Sequence, residues 1–146
     1  MQRPGGPALA SSSALAALAA LHALWGLGAA WPAADRERLA ELVAGTEQVP
    51  PPAACFVVAG GLATAAALVA GAGGQPGRRW APLARLARAG VAAGLLARGI
   101  AGVTGHTRLL VPWTPSAPFQ ALDRRRYGPF CLVLGAAVAT SVGPRR

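Results

Sequence analysis

The sequence predicts an all-α integral membrane protein, four transmembrane helices in an antiparallel bundle, and three observations carry that prediction. The chain of 146 residues is 53% hydrophobic and only 13% charged, where soluble domains hold about 25% charge. Four apolar runs, at about 10–31, 53–72, 86–104 and 127–143, approach the ~20 residues that cover a hydrocarbon core of ~30 Å. They alternate with polar loops at 32–52, 73–85 and 105–126, so residues 1–146 read as a single membrane domain without an internal repeat.

The first run is unbroken from Ala14 to Ala30 and can start as early as Ala8. A secretory signal peptide is the alternative, since a basic start and small residues at Ala29 and Ala30 fit its outline. The run nevertheless outlasts the ~7–15-residue core of a signal peptide and contains His22 and Trp25, so it reads as a retained helix stopped by Trp31 and Pro32. In the first loop Leu39, Leu42 and Val43 recur at helical spacing among Asp35, Glu37 and Glu41, which predicts a short interfacial helix. Pro50, Pro51 and Pro52 end that loop and open the second run, because proline is tolerated only in a helix's first turn. The second run carries no charge from Ala53 to Ala72 and closes on Gly73 and Gly74.

The turn that follows holds Arg78, Arg79, Arg85 and Arg88, with Trp80 as an interfacial anchor. On the third run Gly90, Gly94, Arg98 and Gly102 recur every four residues. That spacing predicts a helix contact of the GxxxG kind, with Arg98 facing protein. The fourth run, from Gly128 to Val142, is short and must borrow length from Tyr127 or thin the bilayer.

Basic residues number fourteen, all arginine, against five acids, for a net charge of +9. They flank or interrupt apolar runs instead of lining one polar face, which excludes nucleic acid as the expected partner. The expected partners are the lipid bilayer, an anionic lipid or another membrane protein, with Arg124 to Arg126 touching lipid phosphates. Four crossings would gather both long loops and all five acids at one face. The opposite face would hold Arg3, the four turn arginines, Arg145 and Arg146. The arginines packed tightly against the span ends in the short turn place both termini in the cytoplasm by the positive-inside rule. The expected location is the cell inner membrane, as a multi-pass protein.

Arg98 is the residue that must be explained, since charge at such depth costs a few kcal/mol on insertion scales. It lies six residues before Thr104, about 9 Å below the long-loop face, and His22 lies about 14 Å below the same face at 1.5 Å per residue. Trp25, Asp123 and Tyr127 converge on that leaflet, and His106 follows the third run. His22, Trp25, Arg98, Asp123 and Tyr127 therefore form a candidate buried polar cluster. Two readings of Arg98 stand: a snorkelling side chain, or a buried network with Asp123, Tyr127 or His22. His22 is more simply a packing histidine than a proton carrier, and Trp25, Trp31, Trp80 and Trp113 read as interface belts.

Cys55 and Cys131 lie near one face, so a disulfide is topologically allowed, but free thiols behaving as small hydrophobes are expected. Neither CxxC nor metal-ligand spacing occurs, and no catalytic triad order, HExxH or phosphate loop is found. The expectation is no catalytic residues, no metal and no cofactor.

The blocks HALW at 22–25, RGIAG at 98–102 and FQALDRRRYGPFCLVLG at 119–135 resemble the domain-of-unknown-function 3995 family of small bacterial four-helix membrane proteins. The resemblance covers about residues 14–143. It implies four spans and no assigned activity, with His22, Trp25, Arg98, Asp123, Tyr127, Pro129 and Cys131 on the family's distinctive positions. The expected function is a small binding or scaffold module. The alternative is a membrane-embedded enzyme or small-molecule transporter that uses the Arg/His/Asp cluster.

Overall fold

The computed structural model describes residues 5–73 and 79–142; Arg3, Gly74, Arg78, Arg145 and Arg146 lie outside them. The described chain is all helical. Helix α1 spans Gly6–Gly26, α2 Arg36–Val43, α3 Pro52–Ala70, α4 Ala81–Thr104, α5 Ala117–Leu122 and α6 Gly128–Thr140. A 3-10 turn over Thr107–Leu109 follows α4, and a π-helical turn over Asp123–Tyr127 joins α5 to α6.

Among the described residues three helices, not four, are long and apolar enough to cross a membrane: α1, α3 and α4. The expected fourth span over 127–143 is the correction. Its apolar part folds as α6, with 13 residues, which at 1.5 Å per residue reaches only about 20 Å of a ~30 Å core. Upstream it cannot borrow apolar length, because the π turn carries Asp123 and the three arginines.

The span ends share one cause. In α1, Ala29 N–H donates to Leu24 O at 3.0 Å and Gly28 N–H to Trp25 O at 3.0 Å, with Gly28 at φ +101°. The same paired bonds close α3 at Gly71 and α4 at Gly105. This is the Schellman cap, which needs a residue in the left-handed region and so selects glycine. It stops α1 at Gly26, five residues before the predicted Trp31. Helix α4 begins at Ala81 with proline in its first turn, so Arg85 and Arg88 are helical residues and not part of the turn. Helix α2 forms where its apolar spacing predicts; Asp35 caps it by accepting from Arg38 N–H at 2.7 Å.

The helices pair as two hairpins, α1 with α3 and α4 with α6. The hairpins share a core of Ala8, Leu15, Ala65, Ala66, Val69, Ala92, Leu134 and Val138. Its members run from the middles of α1, α4 and α6 toward the α1 start, the α3 end, the α4 start and the α6 end. That apolar core therefore sits on the side of the α3–α4 turn. At the other end the two long connections dock on each other through hydrogen bonds. Ser116 N–H donates to Gly45 O at 2.9 Å, Ser116 Oγ to Glu41 O at 3.2 Å and Trp113 Nε1 to Ala44 O at 3.0 Å.

Candidate functional site

The close approach of α4 and α6 builds the site. A Cβ at Gly99 would lie 2.8 Å from Leu132 N, one at Gly102 2.9 Å from Gly128 Cα, and one at Gly135 3.0 Å from Leu96 N. Those distances admit only hydrogen at the glycines. Gly90 and Gly94, by contrast, have nothing within 4 Å of where a Cβ would stand. The four-residue stripe expected from the sequence is thus corrected. A helix turns 100° per residue, so a four-residue step drifts 40°, and Gly90 and Gly102 end up a third of a turn apart. The packed stripe follows the true period through Ala84, Arg88, Ala92, Gly99 and Gly102, all buried.

Into this contact Arg98 projects toward the start of the π turn. Its Nη2 donates to Asp123 Oδ1 at 2.7 Å and its Nη1 to Asp123 Oδ2 at 3.2 Å. This is the two-pronged geometry that suits guanidinium and carboxylate. Thr107 Oγ1 also donates to Asp123 Oδ2, so the carboxylate, 1% exposed, is bonded at both oxygens. The Arg98 side chain retains 31% exposure. Thr107, which sequence reasoning missed, is buried; its only sequence signal is a hydroxyl just past the Gly105 cap.

The remaining members of the predicted cluster lie elsewhere. Tyr127 points to the other connection and donates from its hydroxyl to Leu42 O at 3.2 Å, with the Phe119 ring 6.1 Å away. Burial is the main reason its hydroxyl is held above the ordinary phenol value, with Arg126 pulling it down and Asp123 pushing it up. His22 stays on α1, where Nδ1–H donates to Leu18 O at 2.8 Å and the ring leans on Trp25 at 4.7 Å. Trp25 is buried and donates from Nε1 to Trp31 O at 2.7 Å; it is an internal tie and not a belt residue. Trp31, Trp80 and Trp113 are exposed. Among the described residues no side-chain hydrogen bond joins His22 or Tyr127 to Arg98 or Asp123.

Arg88, expected in the turn, is buried and donates from Nη1 to Leu68 O at 3.3 Å. A guanidinium there answers the carbonyl end of α3. Its place on the 3.6-residue stripe with Ala84 and Ala92 is the signal that could have found it. Cys55 and Cys131 are free thiols. Cys55 lines a small pocket beneath α2 with Trp25, Leu39 and Val43. Among the described residues no group of three or more His, Cys, Asp or Glu is placed to hold a metal ion.

The family model described as Protein of unknown function (DUF3995) matches residues 15–138. The chain belongs to that family. The match runs from the middle of α1 to Val138 near the end of α6 and so takes in Arg98, Thr107 and Asp123 together. No curated protein and no solved structure matches the chain. Its three apolar helices make this DUF3995 member a helical, membrane-associated protein.

Proposed function

We propose that this protein is a small multi-pass binding or scaffold module of the bacterial inner membrane and not an enzyme. One observation carries the reading: Asp123, the one acid in the α4–α6 contact, accepts three hydrogen bonds from Arg98 and Thr107. A carboxylate so engaged, bonded at both oxygens from the end of α4 and the turn after it, fixes two helices against each other. His22, which a transporter or enzyme would need beside it, is bonded on α1. The test is mass spectrometry of lipids and metabolites carried by the detergent-purified protein. Co-purified lipid or membrane protein, unaffected by His22→Ala, is expected. A soluble metabolite held stoichiometrically and lost in both Arg98→Ala and His22→Ala would overturn the reading.

In the membrane, the α1 start and the arginine-rich α3–α4 turn face the cytoplasm, and the α2 and α5 connections face outward. Arg78 and Arg79 in the sequence of that turn, with the exposed Arg85 in the opening turns of α4, support this orientation. Cysteine-accessibility labelling of Gly77→Cys and Ser116→Cys, in a Cys55→Ser/Cys131→Ser background, should mark opposite sides, with Gly77→Cys inside; the reverse pattern sinks the orientation.

A further inference from the structure

We propose that the connection between α4 and α6 is an interfacial site for an anionic phospholipid. In this site Leu109 and Leu110 enter the acyl region, and Arg108, Arg124, Arg125 and Arg126 hold the phosphate-bearing headgroup. The inference rests on the membrane reading above and gives the binding module a ligand class.

The first observation is where the connection lies. After the Gly105 cap the chain doubles back: His106 N–H donates to Ala101 O at 2.8 Å, and Thr107 Oγ1 reaches the same carbonyl at 3.5 Å as well as Asp123. The 3-10 turn is thereby tied to the last turn of α4, level with the end of a membrane span instead of standing above it. At that level Leu109 is 75% exposed and Leu110 51%. Two adjacent leucines held outward beside a span end suit the boundary between headgroups and acyl chains.

The second observation is charge. Arg108, Arg124, Arg125 and Arg126 are all exposed, and the connection's one acid, Asp123, is buried against Arg98. No ion pair neutralises any of the four among the described residues. The α1–α3 connection differs: there Asp35, Glu37, Glu41 and Glu47 outnumber Arg36 and Arg38, and Arg38 is paired to Glu41. Of the two connections at this end, the one that carries the exposed leucines is therefore the basic one. Guanidinium groups meet phosphate oxygens two at a time, a match that a zwitterionic headgroup offsets with its own cation. Gly105 gives Arg124 its seat. The Arg124 guanidinium lies where a Cβ at Gly105 would stand, its Cζ 2.8 Å from that position.

The experiment uses the full chain in neutral detergent and follows thermal unfolding with phosphatidylglycerol or with phosphatidylcholine of the same acyl chains. Phosphatidylglycerol should raise the midpoint by several degrees more than phosphatidylcholine. Arg108→Gln/Arg124→Gln/Arg125→Gln/Arg126→Gln should abolish the difference, and Arg36→Gln/Arg38→Gln should keep it. Equal effects of the two lipids, or a difference that survives the quadruple change, overturn the proposal. So does full stabilisation by inorganic phosphate, which would mean a free-anion site. Should the quadruple variant fail to fold, quenching decides on the native chain. Brominated phosphatidylglycerol should quench the emission lost in Trp113→Phe more than brominated phosphatidylcholine does, and equal quenching overturns the site. A failure here with the labelling pattern intact removes the lipid site and leaves the membrane module standing.

Discussion

The two hairpins are held by different chemistry. Helices α1 and α3 meet largely through alanine and leucine, and where a glycine lies in that contact, at Gly26, a Cβ would stand 3.0 Å from the Phe56 ring. Helices α4 and α6 meet backbone to backbone at Gly99, Gly102, Gly128 and Gly135, and that closeness brings a guanidinium on one to a carboxylate on the next element. An aromatic edge can tilt away from a small intrusion, whereas a backbone amide cannot. The first contact is thus adjustable and the second is fixed, which is where a paired charge must sit if its geometry is to hold.

The largest effect that separates them should come from the ion pair. Arg98→Ala leaves Asp123 buried and uncompensated and is expected to cost about 3–5 kcal/mol. Asp123→Ala leaves an arginine that keeps nearly a third of its surface exposed and can swing its head to the interface, so about 1–3 kcal/mol is expected. Arg98→Ala/Asp123→Ala should cost clearly less than the sum of the two single changes. Thermal unfolding in detergent measures all three. Strict additivity of the single changes would show Arg98 to be a snorkelling residue with no network.

Next in size are the glycines. Gly99→Ala and Gly102→Ala put a methyl within 2.9 Å of neighbouring backbone atoms and should cost about 1–3 kcal/mol by overpacking. At the open positions, Gly90→Ala and Gly94→Ala should instead stabilise by up to about 1 kcal/mol, because alanine loses less entropy in a helix. Equal losses at all four would mean that Gly90 and Gly94 lie against another surface in the membrane.

Local chemistry explains which of these features were legible in the sequence. Helix α2, the proline start of α3 and the membrane character follow from spacing, side-chain type and apolar length, each confined to a few neighbouring residues. The pairing of Arg98 with Asp123 was also within reach, since depth and topology placed both at one face. Three features were not legible. The α1 stop depended on Gly28 taking a positive φ, which the more conspicuous Trp31–Pro32 obscured. The buried Arg88 depended on α4 starting at Ala81, a turn earlier than its hydropathy. The fourth run already reads as short, but that nothing upstream would lengthen it depended on Asp123–Tyr127 folding as a polar π turn. Likewise His22 falls in the same leaflet as Arg98, yet a shared leaflet does not fix azimuth, and its helix pairs with α3.

The smallest expected effect concerns what joins the hairpins at the outer end. There the shared apolar core has run out and the two connections meet by hydrogen bonds, among them Tyr127 Oη to Leu42 O. Tyr127→Phe keeps the ring against Phe119 and removes the donor, so about 1 kcal/mol should be lost, the net worth of one hydrogen bond. The pH dependence gives a second readout. Burial holds this hydroxyl above 10.0 in the folded chain, so its contribution is fully present below that value and disappears as pH rises through the raised one. The native protein should accordingly lose stability in strong alkali more steeply than Tyr127→Phe. Parallel alkaline profiles of the two would show that the outer contact does not depend on this bond, leaving Ser116 and Trp113 to hold the connections together.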